Sequence, residues 1–157
     1  MRIIKLSYNI LSLIILILWM IGVFILSNFP ANISAGQSSS ILEKIIFPIL
    51  DMVLENNEYL YNIIQIFIRK SAHLTLYILG GMIIFNFLYN YFSNLNITKY
   101  SIVFGGIYAI TDEIHQYFVP GRSMQITDIL IDFIGVLIGV FMIKLIYTSF
   151  KGKEFNE

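Results

Sequence analysis

The sequence predicts an all-α integral membrane protein, a bundle of four transmembrane helices with a short amphipathic helix in the first outer loop. Three observations predict it. Hydrophobic residues make up 57% of the chain and charged residues 13%, whereas ordinary globular proteins carry roughly 25% charged residues. No charge interrupts the stretch from Leu6 to Leu26, and about twenty apolar residues suffice to cross a bilayer. Further apolar runs cover about 71–92, 100–118 and 126–147, each bounded by polar or turn-forming residues. At 157 residues the chain has one domain's length, with a core at about 26–148. A net charge of +0 leaves no basic surface for nucleic acid, and the absence of cysteine excludes disulfides, thiolate metal sites and a cysteine nucleophile.

The first span, about 7–26, follows Arg2 and Lys5 and so has the polarity of a signal peptide. Its apolar stretch exceeds the 7–15 residues of a signal core, and Ile33-Ser34-Ala35 is a poor cleavage site, so an uncleaved anchor is expected. Pro30 ends the helix, because proline disfavours helix in the residue before it. After a polar loop, Ser40-x-x-Glu43 has capping-box form ahead of Ile41, Leu42, Ile45, Ile46 and Ile49. That spacing predicts the short amphipathic helix, interrupted around Pro48 and too short to span. Tyr59–Ile68 is apolar without a clean period, and reads equally as a separate interfacial helix or as the start of the second span. Arg69-Lys70 then precede the span at 71–92, Ser93–Lys99 forms a turn, and Pro120-Gly121 turns the chain between the third and fourth spans. The charged tail, Lys151–Glu157, is expected to fray.

With the N-terminus inside, Arg2, Lys5, Lys99, Lys144, Lys151 and Lys153 lie on the cytoplasmic side, six of the ten basic residues. The positive-inside rule favours that assignment, which puts both termini in the cytoplasm. One consequence is independent of the count: the ionisable residues of spans two, three and four then share one layer in the outer half of the bilayer. Angular positions agree. At 100° per residue, Lys70, His73, Tyr77 and Gly81 share a face, as do Gly105, Ala109, Asp112 and Gln116, and as do Asp128, Asp132, Gly135 and Gly139. Small residues let membrane helices approach closely. Helices three and four are therefore expected to touch along Gly105/Ala109 and Gly135/Gly139.

A carboxylate at mid-membrane costs about 2.5–3.5 kcal/mol on insertion scales, so this layer needs an explanation. Two readings compete. In one, the acids are staples fixing helix register, with Lys70 or Arg122 paired to Asp112, Asp128 or Asp132. In the other, the layer holds a polar head group or a transition state, since four acids, two basic residues and a histidine exceed what register requires. His73 can serve as an acid–base group or simply as a hydrogen-bond donor. Arg122 has the planar fork that suits a carboxylate or phosphate, but as the only basic residue of its turn it is expected to pair with Asp128. Asp112-Glu113-x-His115 looks like a metal box, yet Glu113 and His115 point about 160° apart on a helix. No GxSxG, HExxH or P-loop spacing occurs. No metal and no cofactor is expected.

Taken together, Lys70-x-x-His73-x-x-x-Tyr77, Asp112-Glu113-x-x-Gln116, Pro120-Gly121-Arg122, Asp128, Gly135 and Gly139 resemble the VanZ-like membrane proteins associated with teicoplanin resistance in Gram-positive bacteria. Leu26-Ser27-Asn28-x-Pro30 and the serines at 38–40 look like that family's first-loop pattern. The chain departs from it at Asn28, where the pattern has serine, and at Asp132, where asparagine is frequent and aspartate adds a negative charge. The resemblance implies a protein of the bacterial cytoplasmic membrane that lowers susceptibility to lipoglycopeptides such as teicoplanin. The function class expected first is non-catalytic: an outward polar site of Lys70, His73, Tyr77, Asp112, Glu113, Gln116, Arg122, Asp128 and Asp132, lying among membrane lipids and engaging an envelope lipid or glycopeptide-like molecule. The alternative is an enzyme modifying a lipid-linked envelope precursor. In it His73 and one of Asp112 and Glu113 act as acid–base groups, while Arg122 with Lys70 holds a phosphate.

Overall fold

The computed structural model describes residues 2–30, 58–92 and 96–154. The expected amphipathic helix after Ser40 and the serines at 38–40 lie outside the described residues. Among the described residues there are four helices, α1 (Arg2–Ser27), α2 (Glu58–Tyr91), α3 (Ile97–Tyr117) and α4 (Ile126–Glu154), and no strand. Three of them are long and apolar enough to cross a membrane, over Leu6–Ser27, Asn62–Tyr91 and Ile126–Ser149. α3 is not one of these, because its last turns carry Asp112, Glu113 and Gln116.

The helix ends follow from local chemistry. The Asn96 side chain accepts the Lys99 N–H at 3.2 Å and caps α3, starting it three residues before the expected Tyr100. At the other end the N–H groups of Phe118 and Val119 return to His115 and Gln116, both at 3.0 Å. Gly121, at φ 75°, then turns the chain in a conformation that other residues rarely adopt. α4 runs to Glu154, so the tail expected to fray from Lys151 begins as helix. Tyr59–Ile68 proves to be the first part of α2 and not a separate element. At 34 residues α2 is about 51 Å long, well beyond the ~30 Å hydrocarbon thickness. Periodicity was silent there because α2 is apolar on several faces.

α2 is the hub: it packs most extensively on α4 and also contacts α1 and α3, while α3 leans on α4. Outward faces are apolar and inward faces mixed, the reverse of a soluble bundle. On α4 the exposed side chains include Leu130, Ile134, Ile138, Phe141 and Leu145, one continuous stripe, and on α3 Val103, Ile107, Ile110, Ile114 and Tyr117 form another. The buried set includes Ser101, Asp112, Glu113, Gln116 and Asp132 beside Tyr77, Ile84, Val136 and Val140. Such a distribution fits lipid as the surrounding solvent, since burying apolar surface gains nothing there and close packing and hydrogen bonds hold the helices.

The glycine stripes meet different partners from those expected. Gly105 of α3 does face α4, where a Cβ would lie 2.5 Å from the Val136 side chain. Gly135 and Gly139, however, face α2, against the backbone of Leu74 and Ile78 and the side chain of Tyr77. Gly81 of α2 answers them, with the Val136 carbonyl and the Val140 nitrogen in the space its Cβ would fill. The close seam is thus α2 against α4, backbone to backbone. Val136, one residue and about 100° round from Gly135, is what reaches α3.

Candidate functional site

Four elements converge at one end of the bundle: the C-terminal turns of α1 and α3, the first half of α2 and the N-terminus of α4. They converge because alternate helices run in opposite directions, and the hairpin arm of α3, about six turns long, returns through Pro120-Gly121 directly into α4. Here the chain collects the polar residues of all three inner stripes.

A line of hydrogen bonds runs inward from the α3–α4 loop. Arg122 Nη1 donates to Gln116 Oε1 at 2.7 Å. Gln116 Nε2 donates in turn to Asp112 Oδ2 at 3.0 Å and to Ser27 Oγ at 3.4 Å. The Tyr77 hydroxyl donates to the same Asp112 oxygen at 3.2 Å. A guanidinium can only donate and a carboxylate can only accept, so a glutamine between them presents one group of each kind to the correct neighbour. The line ends on packed aromatics: Tyr77 is fully buried, with the Trp19 ring edge-on at 5.9 Å between centroids.

An ion pair and a histidine–carboxyl contact lie alongside. Lys70 Nζ contacts Asp128 Oδ1 at 2.5 Å and donates to Thr127 Oγ1 at 3.3 Å. Asp128 also sits in the first turn of α4, where the helix dipole favours a negative charge. His73 Nδ1 stands 3.5 Å from Asp132 Oδ1, and among the described residues neither Asp132 oxygen has a hydrogen-bond partner although the residue is 0% exposed. The charge by which this chain departs from the resembled pattern is therefore faced by an imidazole. Glu113, also 0% exposed, accepts the backbone N–H of Gln125 at 2.7 Å. Gln125 immediately precedes α4 and accepts the Asp128 N–H at 3.0 Å, so Glu113 ties α3 to the start of the next helix.

Two adjoining hollows open onto this layer, both lined by His73 and Arg122. The larger, of about 60 Å³, also meets Arg69, Gln116, Ser123, Gln125 and Asp128. The smaller, of about 30 Å³, reaches between Ser27, Leu76, Tyr77 and Asp112. With Nδ1 turned to Asp132, His73 has Nε2 left for the hollows. Burial and the neighbouring Arg69 guanidinium pull the Arg122 pKa down from its ordinary value, against the pull of Asp112, Glu113 and Asp128.

All nine residues expected in the layer, Lys70, His73, Tyr77, Asp112, Glu113, Gln116, Arg122, Asp128 and Asp132, gather here. Their partners differ in one respect: Asp128 is taken by Lys70, and Arg122, for which Asp128 was expected, donates to Gln116. A lysine stem on the facing helix reaches Asp128 directly, whereas Arg122 leaves its turn in the direction of α3. His115 lies elsewhere, stacked on Phe24 at 4.6 Å with Nε2 3.2 Å from Asn28 Oδ1. Sequence reasoning missed Arg69, Ser27 and Gln125. Arg69 carried a usable signal, standing four residues before His73 and hence on its face. Gln125 carried none, because it acts through its backbone.

Comparison with known proteins matches residues 12–147 to a protein-family model described as VanZ/LLP1. No curated protein and no solved structure matches the chain.

Proposed function

The chain belongs to the VanZ/LLP1 family, and from that premise we propose that it is a membrane protein whose outward-facing polar layer engages the head group of an envelope lipid, without catalysis, and thereby lowers susceptibility to teicoplanin-type glycopeptides. One observation carries the reading: the line from Arg122 through Gln116 and Asp112 to Tyr77 lies beside hollows that it does not fill. A structural staple needs pairs, and Lys70–Asp128 is one. It does not need a polar-walled space.

The reading includes four crossings of the bacterial cytoplasmic membrane, with α3 as the third and both termini in the cytoplasm. Support for α3 as a crossing comes from its apolar outer stripe and from its acids being turned inward. The chain has no cysteine, so single cysteines report topology cleanly. Ser123→Cys should react with an impermeant thiol reagent on intact cells, and Lys99→Cys only after permeabilisation. Labelling of both positions on intact cells is incompatible with a crossing by α3.

The functional test is made in a teicoplanin-sensitive host, comparing wild type with Asp112→Asn. This substitution keeps the size of the side chain but supplies a donor where Tyr77 and Gln116 both donate. The variant should reach similar abundance in membranes, co-purify less lipid by mass spectrometry and protect less. Equal lipid recovery and equal protection would sink the proposal. The His73–Asp132 geometry favours a second reading, in which His73 Nε2 moves a proton in a reaction on a lipid-linked precursor. The same spectra identify it: an envelope lipid changed in mass in wild-type cells and unchanged in His73→Gln cells.

A further inference from the structure

Resting on the lipid-binding reading, we propose that His73 and Asp132 form a proton switch in the wall of the site: one proton, gained or lost at His73, sets which head groups the hollows hold. The proton exchanges at equilibrium, and no bond of the ligand breaks. Three observations carry the proposal. First, the other acids of the layer have partners of another kind. Asp128 is bound by Lys70, Asp112 takes hydrogen bonds from Tyr77 and Gln116, and Glu113 takes the Gln125 N–H. Asp132 is 0% exposed, and neither of its oxygens has a hydrogen-bond partner among the described residues. Its basic neighbour is His73, with Nδ1 at 3.5 Å. Lysine and arginine keep their charge across the physiological range, whereas an imidazole changes its own between about pH 5 and 8. The countercharge of Asp132 is therefore conditional on a proton.

Second, His73 stands between Asp132 and the outside. Both hollows are lined by His73 and neither by Asp132, and the imidazole side chain keeps 19% of its surface exposed. With Nδ1 toward the carboxyl group, Nε2 is the atom that meets the hollows. A neutral imidazole that gives its N–H to Asp132 offers a lone pair at Nε2, and an imidazolium offers a donor and a positive charge there. A single proton thus changes the wall from accepting a hydrogen bond to donating one. The Ser27 and Ser123 hydroxyls on the same walls can turn to suit either state.

Third, the pair cannot relax by moving apart. Asp132 and Gly135 lie on one face of α4, and a Cβ at Gly135 would lie 2.8 Å from the carbonyl oxygen of Leu74, the residue after His73. That contact fixes the spacing of the two helices, so a change of charge is expressed in hydrogen bonding at the hollow. Other charged groups face His73 as well. From α3 Asp112 and Glu113 act on it electrostatically, and from α4 Asp128 does so beside Asp132. Arg122 of the α3–α4 loop lines both hollows with it, and Arg69 lines the larger. Lys70 and Tyr77 share its face of α2. From α1 come Val23, Leu26 and Ser27 at the smaller hollow, none of them a titrating group. These surroundings set the pH at which the switch turns.

The test uses the purified full chain in detergent. The chain has two histidines, and His115→Gln, outside the site, leaves His73 as the one imidazole to follow by NMR. Its signal should titrate between about pH 5 and 9. Asp132→Asn should displace the midpoint by about one pH unit or more, a tenfold change in proton affinity. No titration in that range, or the same midpoint in Asp132→Asn, would overturn the switch. Coupling to the ligand is read on immobilised protein given mixed micelles of a total lipid extract from the teicoplanin-sensitive host, at about pH 5.5 and about pH 8.5. By mass spectrometry, enrichment of at least one lipid should differ about tenfold between the two, the worth of one charged hydrogen bond, and the difference should vanish in His73→Gln. Equal enrichment at both pH values in wild type, or a difference that persists in His73→Gln, would overturn the switch and leave lipid binding standing. No lipid enriched at either pH would overturn the lipid reading and the regulation that rests on it. This comparison needs only wild type and His73→Gln, so it decides even if Asp132→Asn does not fold.

Discussion

Replacing Gly139 with alanine should destabilise the protein by about 3 kcal/mol, the upper end of what one added methyl group costs in a packed interior. The new Cβ would lie 2.0 Å from the Ile78 carbonyl oxygen and 2.9 Å from its carbonyl carbon. Both are backbone atoms of a continuous helix, so no side chain can turn aside and α2 and α4 must separate. The opposing effect is alanine's better helix propensity, worth about 1 kcal/mol at most. Packing wins by a wide margin. Gly22 supplies the internal control, because nothing lies within 4 Å of its Cβ position: Gly22→Ala should leave stability unchanged or raise it slightly. Thermal unfolding in detergent compares the two directly. Equal loss at positions 22 and 139 would mean that the helices do not meet where the glycines put them.

Trp19→Ala should cost a similar amount, about 3 kcal/mol. Soluble cores lose about 3–5 kcal/mol on such truncations, but part of that is transfer from water, and lipid is as apolar as the interior. What remains is packing, and Trp19 has much of it. Its ring lies 5.0 Å from Tyr108 and meets Tyr77 edge-on, and it occupies the space a Cβ on Gly80 would need, at 2.1 Å. Its Nε1 donates to the Leu76 carbonyl at 3.1 Å. Trp19→Phe, which keeps a ring and loses that bond, should cost only about 1 kcal/mol. Since the chain has one tryptophan, its fluorescence reports the α1–α2 contact without labelling. Wild-type emission that does not shift to the red on unfolding would contradict the burial of this ring.

Which residues share a layer was legible in the sequence, and who pairs with whom inside it was not. Helical spacing assigns a direction to within tens of degrees, which sufficed to gather Lys70, His73 and Tyr77 on one face. It cannot separate Lys70 from Arg122 as the partner of Asp128, because both side chains are long enough to reach it. The glycine stripes told that α4 approaches something closely; they are blind to whether that is α2 or α3, since a missing side chain carries no complementarity. Trp19 stands in an uninterrupted apolar run, where an aromatic side chain suits lipid and a helix interface equally. Its seat is made by Gly80, in another helix, and no local pattern links the two. Glu113 and Gln125 illustrate a further limit: a carboxylate bonded to a backbone N–H leaves no trace in the identity of its partner.

The backbone contact between α2 and α4 bears on how a ligand would be admitted. Lys70 and His73 on one helix, and Asp128 and Asp132 on the other, are held at fixed spacing by Gly81, Gly135 and Gly139, which meet the facing helix largely backbone to backbone. This half of the site is preorganised, and a ligand that fits it gives up little conformational entropy of the protein on arrival. Arg122 stands in the loop beyond the left-handed turn at Gly121 and donates to Gln116 of α3. On the proposed lipid-binding reading, the two helices would act as an anvil that sets the dimensions of the site, and the short loop as the latch beside it.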